Sequence, residues 1–304
     1  MRTTGQTTGR MNGRLHGVLT ALATPFNKGR IDEPRFREFI NWQLSQGVHG
    51  VVPCGTTGES ATLSHEEHEA VIRICIEEVK GRVPVVAGSG SNNTDEAIRL
   101  TRFAKAAGAD AALLITPYYN RPTQEGLYQH FKAVAEATRF PLIAYNVPAR
   151  TGCNLLPETI ARMTRDIPEL VAVKEATGST IQASDIMEQS GPDLIMLSGD
   201  DFVFLPMLCL GAAGIVSVTA NVAPALVVSL YEAWARGDHE TARQLHYKLS
   251  PLNRALFLET SPIPTKMALS LMGTIRGDLR LPLWQLSPQH EATLRDVMHE
   301  LGIL

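Results

Sequence analysis

The chain has 304 residues, of which 44% are hydrophobic and 19% charged, and its formal net charge is −3. This composition is ordinary for a globular protein. Because no long basic run occurs, the sequence lacks the electrostatic signature of a nucleic-acid-binding protein. No apolar run reaches the roughly 18 residues of a membrane span, and the four cysteines form no C-x-x-C pair. We therefore expect a cytoplasmic protein with reduced thiols and no membrane or nucleic-acid partner.

Short apolar segments recur along the first two-thirds of the chain, rich in Val, Ile and Leu and without clean polar alternation. Such runs are typical of strands that are buried on both faces of a parallel sheet. The predicted strands are Gly17–Ala23, Gly50–Cys54, Val83–Ala87, Ala111–Thr116, Pro141–Asn146, Leu170–Lys174, Leu194–Ser198 and Gly214–Val218.

Helical patterns with N-cap residues or first-turn prolines lie between these runs. They predict helices over Glu33–Gln46, Ser64–Lys80, Thr94–Ala107, Thr123–Thr138, Pro157–Thr164, Ser179–Gln189 and Asp200–Leu210. Eight strand-then-helix units in one run favour an α/β fold closed as a (β/α)8 TIM barrel over a doubly wound open sheet.

Strand signals stop after about residue 224, and only helical patterns follow. The predicted helices there are Ala225–Arg236, His239–Leu258, Pro264–Met272 and Pro288–Leu301. The predicted organisation is a flexible tail over 1–14, a catalytic barrel over 15–224 and an all-helical C-terminal domain over 225–304.

The active site of such a barrel lies at the carboxyl ends of its strands. Lys174 ends the apolar strand Leu170–Lys174, whereas the other six lysines fall in helical or loop segments. Desolvation there penalises the ammonium and favours the neutral amine, which is the form that makes Schiff bases with carbonyl compounds. The alternative is an ion pair with the adjacent Glu175.

Other strand ends carry residues with two interpretations each. The Gly55–Gly58 loop is suited to bind a carboxylate through backbone N–H groups and hydroxyls, or is only a tight turn. Tyr145 is suited to relay protons, or is a core tyrosine. Arg150 offers a planar fork for a substrate carboxylate, or forms a surface ion pair. His65 and His68 are three residues apart, not four as in a zinc-protease helix, so no metal site is expected.

Six motifs, in order and each at a strand end, match one family. They are Gly55–Ser60, Pro117–Pro122, Tyr145–Pro148, Arg150–Gly152, Val173–Gly178 and Ser198–Asp201. From about Leu15 to Leu304 the chain resembles the dihydrodipicolinate synthase family of pyruvate-dependent aldolases. The resemblance implies a lyase that condenses pyruvate with L-aspartate 4-semialdehyde in the diaminopimelate route to lysine, without a metal or organic cofactor.

The same resemblance implies roles for individual residues. Lys174 forms the Schiff base with pyruvate. Thr56, Tyr145 and Tyr119 relay protons, with Tyr119 reaching in from a neighbouring subunit. Thr56 and Thr57 lie where the family binds the carboxylate of pyruvate.

At the aldehyde end, the resemblance implies that Arg150 binds the carboxylate of aspartate semialdehyde. Gly199 and Val216 line the site through their main chains, and Val216 is isoleucine in some relatives. Arg150 resembles the synthase and not the lyase that acts on N-acetylneuraminate. A lyase for a 2-keto-3-deoxy sugar acid or a hydroxy-oxoglutarate is the alternative within the class. A barrel that only senses a keto acid is the further alternative.

The resemblance also implies a homotetramer, built as a dimer of dimers, and feedback inhibition by L-lysine. The positions that match the family's lysine-binding residues are Ser60, Ala61, His65, His68, Asn92, Glu96 and Tyr118. The alternative for the two histidines is an exposed helix face without a ligand.

Overall fold

The computed structural model describes residues 13–304, so almost all of the predicted tail lies outside the described residues. Contacts divide the chain into two compact units. Unit 1 contains Pro84–Val216 together with the segment that ends at His16, and unit 2 contains Gly17–Val83 and Ser217–Leu304. The separation of a barrel from a helical domain at residue 224 stays a prediction.

The described residues form ten strands and twelve α-helices. The strands are β1 Gly17–Ala21, β2 Phe26–Asn27, β3 Arg30–Ile31, β4 Gly50–Val52, β5 Val86–Gly88, β6 Ala111–Ile115, β7 Leu142–Asn146, β8 Leu170–Glu175, β9 Ile195–Ser198 and β10 Gly214–Ser217. The helices are α1 Glu33–Ser45, α2 His65–Val79, α3 Thr94–Ala107, α4 Gln124–Thr138, α5 Pro148–Thr151, α6 Pro157–Asp166, α7 Thr180–Ser190, α8 Phe204–Cys209, α9 Pro224–Ala235, α10 His239–Ala255, α11 Ile263–Leu271 and α12 Pro288–Glu300.

Unit 1 is built on parallel strands that pair in chain order from β5 to β10. Nearly every residue of these strands is buried, which explains their continuous apolar sequences. Between β7 and β8 the register pairs Tyr145 with Lys174 and Asn146 with Glu175. The pairing therefore brings the carboxyl ends of these two strands side by side.

In unit 2, β1 pairs in parallel with β4. The side chain of Gln43, on α1, lies in the core of this unit: its Oε1 accepts from Thr20 Oγ1 (2.8 Å) and its Nε2 donates to the Ala220 carbonyl (2.9 Å). These hydrogen bonds satisfy a fully buried amide and tie the helix to the first strand.

A short antiparallel hairpin, β2 with β3, was not predicted. Its two turn residues, Lys28 and Gly29, both have positive φ (52° and 78°). Two left-handed residues are the requirement of a type I′ hairpin turn. The strands are only two residues long, so the sequence carries no periodic signal for them.

Helix starts follow the predicted caps closely. The Ser64 hydroxyl accepts from the Glu67 N–H, and the Glu67 carboxylate accepts from the Ser64 N–H, so α2 begins with a capping box. The segment predicted as one helix from Asp200 begins instead with a 3₁₀ turn, Asp201–Val203, before α8. No helix of residues 13–304 is long and apolar enough to cross a membrane.

Candidate active site

Lys174 lies at the carboxyl end of β8 with only 5% of its surface exposed. Its Nζ is 3.9 Å from the centroid of the Tyr145 ring, on the neighbouring strand. Within the described residues, Lys174 has no carboxylate at salt-bridge distance. The amine is therefore not held in an ion pair, and addition to a carbonyl compound would break none.

An ion pair between Glu175 and Lys174 was the alternative prediction, but the carboxylate of Glu175 is bound by other residues. Successive residues of a strand point to opposite faces, and the buried Glu175 carboxylate accepts from three neutral donors. They are Asn146 Nδ2 (3.0 Å), Gln182 Nε2 (3.3 Å) and the Thr177 N–H (2.8 Å). This network joins the ends of β7 and β8 behind the reactive face.

Gly199 follows β9 and lies directly against the lysine. A Cβ at this position would be 3.0 Å from Lys174 Cε and 2.6 Å from Ala176 Cβ. Any side chain here would displace the lysine, and the Gly199 N–H donates to the Glu175 carbonyl at 2.7 Å. Lys174, Tyr145 and Gly199 are thus brought together in unit 1.

The remaining unit 1 residues show different degrees of exposure. Val216 is buried on β10, and Arg150 is exposed on the short helix α5, which was not predicted. Tyr119 is 91% exposed and has a φ of 68°, unusual for a residue with a side chain. In a single chain Tyr119 therefore faces solvent.

Thr56 and Thr57 lie in unit 2, in a tight loop after β4. The Gly58 N–H donates to the Gly55 carbonyl (3.1 Å), and the Thr24 hydroxyl donates to the Gly58 carbonyl (2.7 Å). The loop therefore contains a tight turn, and carboxylate binding by the same loop stays a prediction.

The residues that match the lysine-binding positions are distributed over both units. His65 is exposed, whereas His68 is buried, so the exposed-face alternative is wrong for His68. Tyr118 is 38% exposed, and the Glu96 carboxylate accepts from the Ser91 hydroxyl. Ser60 and Ala61 belong to a 3₁₀ turn. In the part of the chain that is described, no group of three or more His, Cys, Asp or Glu residues is arranged to hold a metal ion.

A second buried lysine was not predicted from the sequence. Lys266, on α11, is fully buried, and its Nζ lies 2.6 Å from Glu59 Oε1. Burial lowers the pKa of Lys266, and the Glu59 carboxylate opposes that shift. The available signal was a single charged residue within the otherwise uncharged helix Ile263–Leu271.

An amine buried at a strand end beside a tyrosine, in alternating strands and helices, defines the class: a Schiff-base-forming lyase with a (β/α)8 TIM barrel and a C-terminal helical part. The Dihydrodipicolinate synthetase family model matches residues 14–301. The chain belongs to this family, and the resemblance seen in the sequence is confirmed.

Relatives and solved structures agree with this assignment. The 4-hydroxy-tetrahydrodipicolinate synthase of Nitratidesulfovibrio vulgaris strain DP4 is 63% identical over 285 residues, which cover 94% of this chain and 98% of the relative. A dihydrodipicolinate synthase structure from Thermotoga maritima has a TM-score of 0.94 at 42% identity, covering 96% of this chain and all of that one. The predicted barrel fold is thereby confirmed.

Two further structures contain bound small molecules. The dihydrodipicolinate synthase of Acinetobacter baumannii, complexed with pyruvate, has a TM-score of 0.93 at 43% identity and covers 95% of this chain and all of that one. The enzyme of Cyanidioschyzon merolae, with lysine bound, has a TM-score of 0.92 at 38% identity and covers 95% and 99%.

Proposed function

We propose that this chain has 4-hydroxy-tetrahydrodipicolinate synthase activity and condenses pyruvate with L-aspartate 4-semialdehyde in the diaminopimelate route to lysine. The observation that carries the proposal is the buried Lys174 amine, 3.9 Å from the centre of the Tyr145 ring and without a carboxylate partner in the described chain. The names of its relatives support the same reaction.

The chemistry proceeds through covalent catalysis. The neutral Lys174 amine adds to the ketone of pyruvate, and water leaves to give an iminium. The iminium accepts the electrons of the C–H bond when a methyl proton is removed, which forms an enamine. The enamine carbon attacks the aldehyde, and the amine of the semialdehyde then displaces Lys174 as the ring closes.

Each of these steps moves a proton, and hydroxyl groups are suited to that task. We assign the relay to Tyr145, Thr56 and the Tyr119 of a neighbouring subunit. The 91% exposure of Tyr119 in the single chain supports a role across an interface. A role across an interface requires at least a dimer. From the family resemblance we propose a homotetramer, built as a dimer of dimers, and from the dispersed cysteines a cytoplasmic location.

Substrate binding is assigned to residues at several strand ends. Thr56 and Thr57 bind the carboxylate of pyruvate, and Arg150 binds that of the semialdehyde. Gly199 and Val216 line the site through their main chains. The close approach of Gly199 to Lys174 supports its assignment.

We also propose feedback inhibition by L-lysine. The lysine-bound relative from Cyanidioschyzon merolae supports it. The residues that we assign to lysine binding are Ser60, Ala61, His65, His68, Asn92, Glu96 and Tyr118. A titration of the condensation rate with L-lysine tests the proposal, and a rate that stays flat at millimolar lysine would reject it.

Mass spectrometry after incubation with pyruvate and borohydride tests the central proposal. The wild-type chain should gain the mass of a reduced pyruvate adduct at Lys174, and Lys174→Ala should gain none. Lys132→Ala, which removes a partly exposed lysine on α4, is the matched control and should be labelled like the wild type. An unlabelled wild type would reject the proposed function.

A rate assay then distinguishes the aldehyde. Pyruvate with aspartate semialdehyde should be turned over, whereas retro-aldol cleavage of N-acetylneuraminate or 2-keto-3-deoxy sugar acids should be negligible. The opposite result would assign the chain to a sister lyase.

A further inference from the structure

The loop that carries Thr56 and Thr57 ends at a residue with an unfavourable backbone conformation. Glu59 has a φ of 55° and a ψ of 36°, in the left-handed region. That region is disfavoured for residues with a Cβ, so contacts elsewhere must maintain it. The Glu59 N–H donates to the Thr56 carbonyl at 3.1 Å, and the position of Glu59 therefore constrains Thr56 directly.

Both carboxylate oxygens of Glu59 are bound by distant parts of the same unit. Oε1 lies 2.6 Å from Lys266 Nζ, and Oε2 accepts from the Arg280 N–H at 3.1 Å. The side chains of Glu59 and Lys266 are 1% and 0% exposed. Any displacement of Glu59 would separate two buried opposite charges, which is unfavourable where water cannot screen them.

Arg280 also holds the segment that follows the loop. Its guanidinium donates to both oxygens of Glu67 (2.5 and 2.6 Å) and to the Thr62 carbonyl (2.8 Å). The cations of Lys266 and Arg280 lie 4.2 and 4.3 Å from the centroid of the Phe26 ring. The segment after the loop is therefore held at three residues, through the side chains of Glu59 and Glu67 and the carbonyl of Thr62.

The last residue of the loop, Gly58, is also constrained by packing. A Cβ at Gly58 would lie 3.0 Å from the Leu22 carbonyl oxygen and 3.2 Å from Thr24 Oγ1. The loop thus rests against the end of the first strand on one side and is anchored through Glu59 on the other. Neither constraint uses the side chain of Thr56 or Thr57.

We infer that Glu59, Lys266 and Arg280 are positioning residues, which hold the Gly55–Gly58 loop in the conformation that binds the carboxylate of pyruvate. The inference rests on the proposed function, because it takes the loop as the pyruvate-binding segment. None of the three touches the reacting atoms in this arrangement. They act through Thr56 and Thr57.

The test measures the pyruvate concentration that gives half-maximal borohydride trapping at Lys174 in the full chain. In Glu59→Gln/Lys266→Met both buried charges are removed together, so no unpaired charge remains. Half-maximal trapping should require about tenfold more pyruvate or more, because a loop misplaced by about 1 Å loses binding geometry. Trapping at saturating pyruvate should stay within about twofold, since Lys174 is unchanged.

A merely structural role would lower the unfolding temperature and leave the pyruvate concentration for half-maximal trapping unchanged. Arg37→Met is the matched control. It removes ion pairs with Glu33, Glu77 and Glu78 on the surface of the same unit, and it should trap pyruvate like the wild type.

Glu59→Asp is the second variant, and it keeps the inference testable if the double variant does not fold. Aspartate tolerates the left-handed conformation and keeps the negative charge, but its shorter side chain draws the loop toward Lys266. Half-maximal trapping should then require about threefold more pyruvate.

The labelling results distinguish failure of this inference from failure of the proposed function. If the wild type is labelled and the folded variants need the same pyruvate concentration as the wild type, the inference is overturned and the proposed function stands. If the wild type is not labelled, both are overturned.

Discussion

The two buried lysines of this chain are alike in burial and opposite in partners. Lys174 and Lys266 both have their amines over an aromatic ring, at 3.9 Å from the centre of Tyr145 and 4.2 Å from that of Phe26. Only Lys266 has a carboxylate, at 2.6 Å in Glu59. Burial alone therefore does not identify a reactive lysine: one buried amine is held in an ion pair with a carboxylate, whereas the other has no carboxylate partner among the described residues.

Removal of Lys174 should have the largest effect on activity and little effect on stability. In Lys174→Ala the condensation rate should fall by about 10⁴-fold or more, because no other group forms the Schiff base. Steady-state rates and thermal unfolding measure the two effects. A loss of stability as large as that of a broken ion pair would contradict the distinction between the two lysines.

Tyr145 should matter through its hydroxyl and not through its ring. Tyr145→Phe keeps the aromatic face under Lys174 and should lower the condensation rate by about 10²- to 10⁴-fold. Borohydride trapping at long incubation should still label Lys174. A rate like that of the wild type would show that the ring contact is the only role of Tyr145.

Substitution of Lys266, in contrast to that of Lys174, should mainly lower the stability of the fold. Lys266→Met leaves the buried Glu59 charge unpaired and should lower the free energy of unfolding by about 3–5 kcal/mol. Glu59→Gln/Lys266→Met should recover most of that loss, which urea unfolding measures. A double variant as unstable as the single one would show that packing, and not the charge pair, accounts for the effect.

His130 extends the comparison to a buried base that stays neutral. Its Nδ1 lies 3.0 Å from Thr94 Oγ1, and burial lowers the pKa of His130 from 6.5 to about 4. Between these values the unfolded chain binds a proton that the folded chain does not. Stability should therefore fall by about 3 kcal/mol as the pH drops from 6.5 to 4.

Unfolding of His130→Asn, measured across this pH range, tests the prediction, because asparagine places a polar group that does not titrate near Thr94. The variant should start from a lower stability, because it is smaller, but it should lose the part of the pH dependence that His130 contributes. An unchanged pH dependence would mean that other groups cause it.

Much of the fold was readable from the sequence because it depends on local periodicity. The helix Thr94–Ala107 was predicted to the residue, and the strand that ends near Lys174 was placed within one residue. The hairpin around Lys28 and the short helix α5 were not predicted, because elements of two to four residues are too short to show a hydrophobic period.

The sequence by itself determined the alternation of strands and helices, the strand end that carries Lys174 and the motifs that identify the family. Each follows from neighbouring residues in the chain. Only the tertiary structure decided which buried lysine is paired, because Glu59 and Lys266 are 207 residues apart. It also decided that Glu175 bonds to neutral donors and that Gly199 leaves no room for a side chain, since such contacts depend on packing between segments.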